Sequence, residues 1–146
     1  MSILLILMKL SVKSDYAVRA VFGLSRHFAS GKAVSVEKLA GEQTIPSNYL
    51  VQILLELKNQ GIVTSVRGKE GGYMLARPPA EISLGDIIRS MHGSIFESPA
   101  LQDTAVHPTI RSAWEKLQET LDETANTLTF KLMVDKADQQ SEMYYI

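Results

Sequence analysis

The residues with chemistry to offer fall in two short stretches. Ser47, Asn48, Tyr49 and Gln52 form a run of hydrogen-bonding side chains. A Gln can bond an adenine edge bidentately, Ser and Asn can bond phosphates or bases, and a Tyr hydroxyl suits a phosphate. Further on, Arg67-Gly68-Lys69-Glu70-Gly71-Gly72-Tyr73 sets two cations in a glycine-rich turn. Arg67 suits a narrow minor groove, whose negative potential attracts a guanidinium. Lys69 suits a phosphate. This is the chemistry of recognition, not of bond making.

Catalytic groupings are thin by comparison. His27, His92 and His107 lie far apart. His92 and His107 bracket a stretch that also holds Glu97 and Asp103, a donor set that could in principle hold a metal. The spacing matches no ligand pattern, so neither a metal site nor a cofactor is expected. Gly68–Gly72 lacks the strand-to-helix setting and the Lys-Ser/Thr ending of a phosphate loop. The chain has no cysteine, which excludes disulfides, a thiolate nucleophile and any cysteine-ligated zinc or iron–sulfur site. An enzyme is not expected.

The elements that must position these residues can be read from spacing. Tyr16, Ala17, Ala20, Val21, Leu24 and Phe28 form one helical face, ended by Gly31. Ser35 can cap a short second helix with Val36, Leu39 and Ala40 inward. Gly41 to Ile45 is expected to be the turn. Pro46 suits the first turn of a third helix, running from Ser47 to Gln60. Leu50, Ile53, Leu54 and Leu57 are its buried stripe, and Ser47, Asn48, Tyr49, Gln52 and Lys58 face outward. Residues 61–66 and 73–76 are strand-like, and glycines 68, 71 and 72 are expected to supply positive φ between them. Tyr73 is expected to pack this hairpin on the core. Ser83-Leu84-Gly85-Asp86 is a capping box opening a further helix, with Leu84, Ile87, Ile88 and Met91 inward and Gly93 at its end. Residues 93–107 read as a loop.

A helix followed by a basic hairpin is a winged helix-turn-helix, in which the helix can enter a major groove and the hairpin a minor groove. The fold class is therefore mainly α with a small β-hairpin wing, carried by residues 8–92. Pro108 opens a long helix in which Ile110, Trp114, Leu117, Leu121, Thr124 and Leu128 repeat as an a/d seam. Such a rod must fold back on the domain or pair with its copy. Groove-reading proteins commonly use symmetric half-sites, so the seam Ile110, Trp114, Leu117, Leu121 and Leu128 points to a homodimer. Residues 108–137 are then dimerisation helices, with a second amphipathic turn from Phe130 to Val134. Asp135 to Glu142 reads as polar tail, and 138–146 as C-terminal tail.

The 146-residue chain has the size of one domain or a small domain with an extension, with 45% hydrophobic and 21% charged residues. Its net charge of −1 hides an asymmetry. Met8 to Arg77 holds ten Lys/Arg against five Asp/Glu, and Pro78 to Ile146 holds five against eleven, about +5 and −6. A basic front half suits a polyanion such as double-stranded DNA. Met1 to Leu7 is apolar, too short to span a bilayer and unlike a signal peptide. It reads as a leader before a more natural start at Met8, or as an apolar arm. No membrane segment is evident, and a cytoplasmic location is expected.

From Met8 to about Asp138 the chain resembles the Rrf-type winged helix-turn-helix transcriptional regulators, the IscR/NsrR/CymR family. The resemblance lies in Met8-Lys9-Leu10-Ser11, Tyr16-Ala17, Ile45 through Leu54, Gly61-Ile62-Val63, Val66-Arg67-Gly68, Gly71-Gly72-Tyr73, Leu75-Ala76-Arg77-Pro78 and Ile82 through Ile88. It implies a homodimer on a palindromic DNA target, with DNA contact at Ser47, Asn48, Tyr49, Gln52 and Arg67. Cluster-binding members place three cysteines in the loop that is here 93–107, and this loop has none. Many members carry a Glu where Val51 stands, which bears on base preference. The similarity is greatest to the cluster-free cysteine-metabolism repressors. They imply a repressor tied to sulfur metabolism, with cysteine synthase as a partner taking Tyr145-Ile146. The competing reading of that tail is packing on the dimer core. The competing reading of the whole is an interaction module that keeps the winged fold and works through a partner protein.

Overall fold

The computed structural model describes residues 11–144. The expected leader and the docking pair Tyr145 and Ile146 lie outside them. Helix α1 (Val12–His27) begins at Ser11, whose hydroxyl accepts from the Ser14 amide at 3.1 Å. Its apolar face, Ala17, Ala20, Val21 and Leu24, is wholly buried. A short 3₁₀ turn, Phe28–Ser30, ends at Gly31 with φ 68°. Helix α2 (Val36–Gln43) is capped by Ser35 as its sequence indicates.

The turn of the helix-turn-helix is shorter than expected. Gly41 lies inside α2, and the chain turns at Thr44, in the left-handed conformation with φ 55°. A single Gly costs a helix only about 1 kcal/mol, too little to stop it here. Buried Ile45 instead sets the turn, its amide donating to the Ala40 carbonyl at 3.0 Å. Helix α3 (Ser47–Asn59) follows, with Leu50, Ile53, Leu54 and Leu57 buried. It closes as a Schellman motif: the Ile62 amide donates to the Leu57 carbonyl at 2.9 Å, and the Gly61 amide to Lys58 at 3.0 Å. Gly61 supplies the φ of 77° that this closure needs.

Strands β1 (Val63–Val66) and β2 (Gly72–Leu75) form the antiparallel wing, with Val63 opposite Leu75 and Val66 opposite Gly72. Of the three expected glycines, Gly68 and Gly72 have positive φ and Gly71 does not. Gly71 is required for another reason, since a Cβ there would strike the Val66 carbonyl oxygen. A Cβ on Gly72 would strike the Val34 carbonyl. That contact reflects a pairing hidden from the sequence. Val34 bridges Tyr73, with amide-to-carbonyl distances of 2.8 and 2.9 Å. With the Tyr73 side chain packed on the core, this bridge fixes the wing to the body.

Helix α4 (Leu84–His92) opens with the expected Ser83/Asp86 capping box, whose two hydrogen bonds are 2.9 and 3.1 Å. A polar cluster then ties it to α5 (Pro108–Thr127). Arg89 lies 3.4 Å from Asp86 and 3.5 Å from Asp122, and it also donates to Asn126. At 20 residues α5 is a rod of about 30 Å. Leu128 lies one residue past its end and so leaves the helical seam. At that corner the Leu84 amide donates to the Leu128 carbonyl at 2.8 Å, and the Phe130 amide to Ile82 at 3.0 Å.

The last helix differs most from expectation. Instead of one turn and a polar tail, α6 runs as a single helix, Phe130–Tyr144, packed against α1 and the 3₁₀ turn Pro79–Glu81. Its polar stretch has no apolar period to read. Lys131 and Asp135 form an i,i+4 pair at 3.0 Å, and Lys, Ala and Gln are good helix formers. Phe130 is fully buried in the same core as α1 and α3. Among the described residues no helix is long and apolar enough to cross a membrane.

Candidate nucleic-acid interface

Helix α3 buries one stripe and turns the other to solvent, because its apolar residues repeat at helical spacing. Ser47, Asn48, Tyr49 and Gln52 are all exposed, as is Lys58. At about 100° per residue, Asn48, Gln52 and Leu55 lie at the outward centre, with Val51 beside them and Ser47 and Tyr49 on the flanks. Tyr49 meets Tyr16 of α1 edge to face, with ring centroids 6.1 Å apart. Arg19 in turn lies 5.6 Å over the Tyr16 ring. The Tyr49 ring is thus steadied from the side, which leaves the hydroxyl as its useful end.

The wing tip is a β-turn. The Gly71 amide donates to the Gly68 carbonyl at 3.0 Å, placing Lys69 and Glu70 at its centre. Arg67 stands at its base, exposed like Lys69. The Lys58 ammonium reaches the Ser65 hydroxyl at 2.8 Å, joining the end of α3 to β1.

Part of the charge on the winged unit is taken up in ion pairs. Of the five carboxylates between Met8 and Arg77, Asp15 pairs with Arg19 at 2.8 Å and Glu56 with Lys13 at 2.7 Å, Glu42 lies 2.9 Å from the His27 ring, and Glu37 and Glu70 have no ion-pair partner among the described residues. Among the described residues, Arg67 and Lys69 have no carboxylate partner. In the wing Arg67 and Lys69 outnumber Glu70, and this local surplus of positive charge favours a polyanion.

The loop 93–107 is held by side chains of α5. Phe96 stacks on Trp114 at 5.8 Å, Gln118 donates to the Phe96 carbonyl at 3.2 Å, and Arg111 donates to the carbonyls of Asp103 and Val106. His107 accepts the Thr109 amide at 3.1 Å and caps α5, while His92 accepts the Ser11 amide at 3.4 Å. Among the described residues no group of three or more His, Asp or Glu is placed to hold a metal ion.

A scan of family models matches residues 10–136 to Rrf2, described as an iron-dependent transcriptional regulator. The chain belongs to the Rrf2 family. Its members are helix-turn-helix, DNA-binding transcriptional regulators, not enzymes. The chain is 31% identical to the HTH-type transcriptional regulator CymR of Bacillus subtilis over 95% of its own length and all of that protein's. It is also 47% identical over 88 residues to a putative HTH-type regulator of Mycobacterium tuberculosis, of whose length it spans about half, 54%. Among solved structures, it matches IscR of T. potens with a TM-score of 0.77 at 34% identity, covering 94% of this chain and 97% of that one. The B. subtilis CymR structure, titled the global cysteine regulator, gives 0.78 at 27%, covering 88% and 98%. The winged helix-turn-helix with C-terminal helices is thus the Rrf2 fold. The family's iron does not fit as a cysteine-ligated cluster, because the chain has no cysteine and both loop histidines already accept backbone amides.

Three features of the site were not foreseen. They are the Tyr16–Tyr49 contact, the Arg89 cluster between α4 and α5, and the exposed apolar residues Val51 and Leu55 on α3. The last two carry no helical-period signal, because they lie on the side where polar residues are expected.

Proposed function

We propose that this protein is a homodimeric, sequence-specific repressor that binds a palindromic operator without an iron–sulfur cluster. The observation that carries it is the exposed polar face of α3 beside the unpaired cations of the wing. In this reading Gln52 and Asn48 bond base edges, and Ser47, Tyr49 and Lys69 hold phosphates. Arg67 enters the minor groove. The seam of α5, from Ile110 to Leu121, pairs with its copy and sets two α3 helices one DNA turn apart. A bidentate Gln–adenine pair is worth about 1–3 kcal/mol. Gln52→Ala is therefore expected to weaken binding to DNA from upstream of its own gene about tenfold or more, in a gel-shift titration. Equal affinity of the wild type and Gln52→Ala for that DNA would remove Gln52 from the base-reading role.

Control by sulfur status is the finer part of the proposal. Its support is the likeness to CymR and the absence of cluster ligands. Tyr145-Ile146 is proposed as the segment that enters a cysteine synthase. Deleting both residues is expected to abolish co-sedimentation with that enzyme and to leave operator binding intact. Unchanged co-sedimentation would sink the docking idea.

A further inference from the structure

The outward centre of α3 is not wholly polar. Val51 is 42% and Leu55 48% exposed, one turn apart beside Gln52 and Asn48. On a solvated helix face, branched aliphatic side chains gain nothing from water. Neither belongs to the buried core, and the α5 seam is on another element. In a major groove the apolar feature within reach of such residues is the thymine 5-methyl group, which lies next to the hydrogen-bonding edges. A cytosine or a purine presents no methyl at that place.

We infer that Val51, backed by Leu55, reads a thymine methyl adjacent to the base pair bonded by Gln52. This rests on the proposed DNA-reading role of α3 and adds its specificity. Val51 precedes Gln52 and lies about 100° round the helix from it, so the methyl it reads belongs to a base pair flanking the one that Gln52 bonds, an A·T-rich step.

The test is to select sites from a randomised duplex pool with the intact protein. Each thymine of the selected half-site is then replaced by deoxyuridine, which removes only the methyl. Anisotropy is read for the wild type, Val51→Ser and Leu55→Ser, with melting curves to show that the variants fold. One position per half-site is expected to weaken wild-type binding about 3- to 5-fold when its methyl is lost, in line with one buried methyl group. The same replacement should leave Val51→Ser binding unchanged. Absence of any uracil-sensitive position, or equal sensitivity in wild type and both variants, overturns the inference while leaving the DNA-reading role in place. Failure to select any sequence above random DNA overturns both.

Discussion

Replacing Leu117 and Leu121 together by Arg is expected to give a folded monomer that has lost its operator. Helix α5 leaves an apolar seam uncovered. Ile110, Trp114, Leu117 and Leu121 are between 37% and 52% exposed in the single chain, and Ala125 is the only buried residue of the helix. Trp114 is partly covered by Phe96 of its own loop, so the open part of the seam centres on Leu117 and Leu121. Two cations per chain there would face two more across a two-fold axis. Pairing then fails by repulsion and desolvation. The chain itself should tolerate the change, because exposed positions rarely cost more than about 0.5 kcal/mol. A monomer holds one half-site and loses the gain from linking two, about 10²- to 10⁴-fold in affinity. Sedimentation and anisotropy on the same samples check both parts. A wild type that sediments as a monomer, or a variant that remains a dimer, would contradict the role given to α5.

Phe130→Ala is expected to be the most damaging single truncation outside the helix-turn-helix. Phe130 has no exposed surface, and it joins the core formed by α1 and α3 although it opens the last helix. Truncating a buried Phe costs about 3–5 kcal/mol, from lost transfer energy and the cavity left behind. Domains are stable by only about 5–15 kcal/mol, so the melting temperature should fall by roughly 10–20 °C. Leu132→Ala, two residues on and 56% exposed, should barely move it. Similar melting temperatures for the two variants would mean that α6 does not close the core as described.

These two residues also mark the limit of what the sequence discloses. The helices of the winged unit were legible because their apolar residues repeat every three or four positions, and because Ser35, Pro46, Gly61 and the Ser83 box punctuate them. The wing was legible from its glycines and its basic root. The α5 seam was legible by the same period, except that Leu128 continues the spacing past the end of the helix. What the chain hides is long-range. Val34 pairs with Tyr73, and Ile82 with Phe130, through backbone groups that every residue has. The polar stretch of α6 is helical by propensity and tertiary docking, with no period to announce it. At the site, Ser47, Asn48, Tyr49, Gln52, Arg67 and Lys69 are exposed where their types placed them. Val51 and Leu55 were passed over, since an apolar residue outside the stripe carries no meaning until the face it occupies is known.

If α3 and the wing together bind DNA, removing the Arg67 guanidinium from the wing must weaken that binding. Wild type and Arg67→Ala are compared by fluorescence anisotropy on DNA from upstream of the gene, across a salt series. A guanidinium in a narrow minor groove is held by that groove's negative potential, so the variant should bind more weakly at every salt concentration of the series. Identical affinities and slopes for the two proteins would contradict the account and remove the wing from the interface.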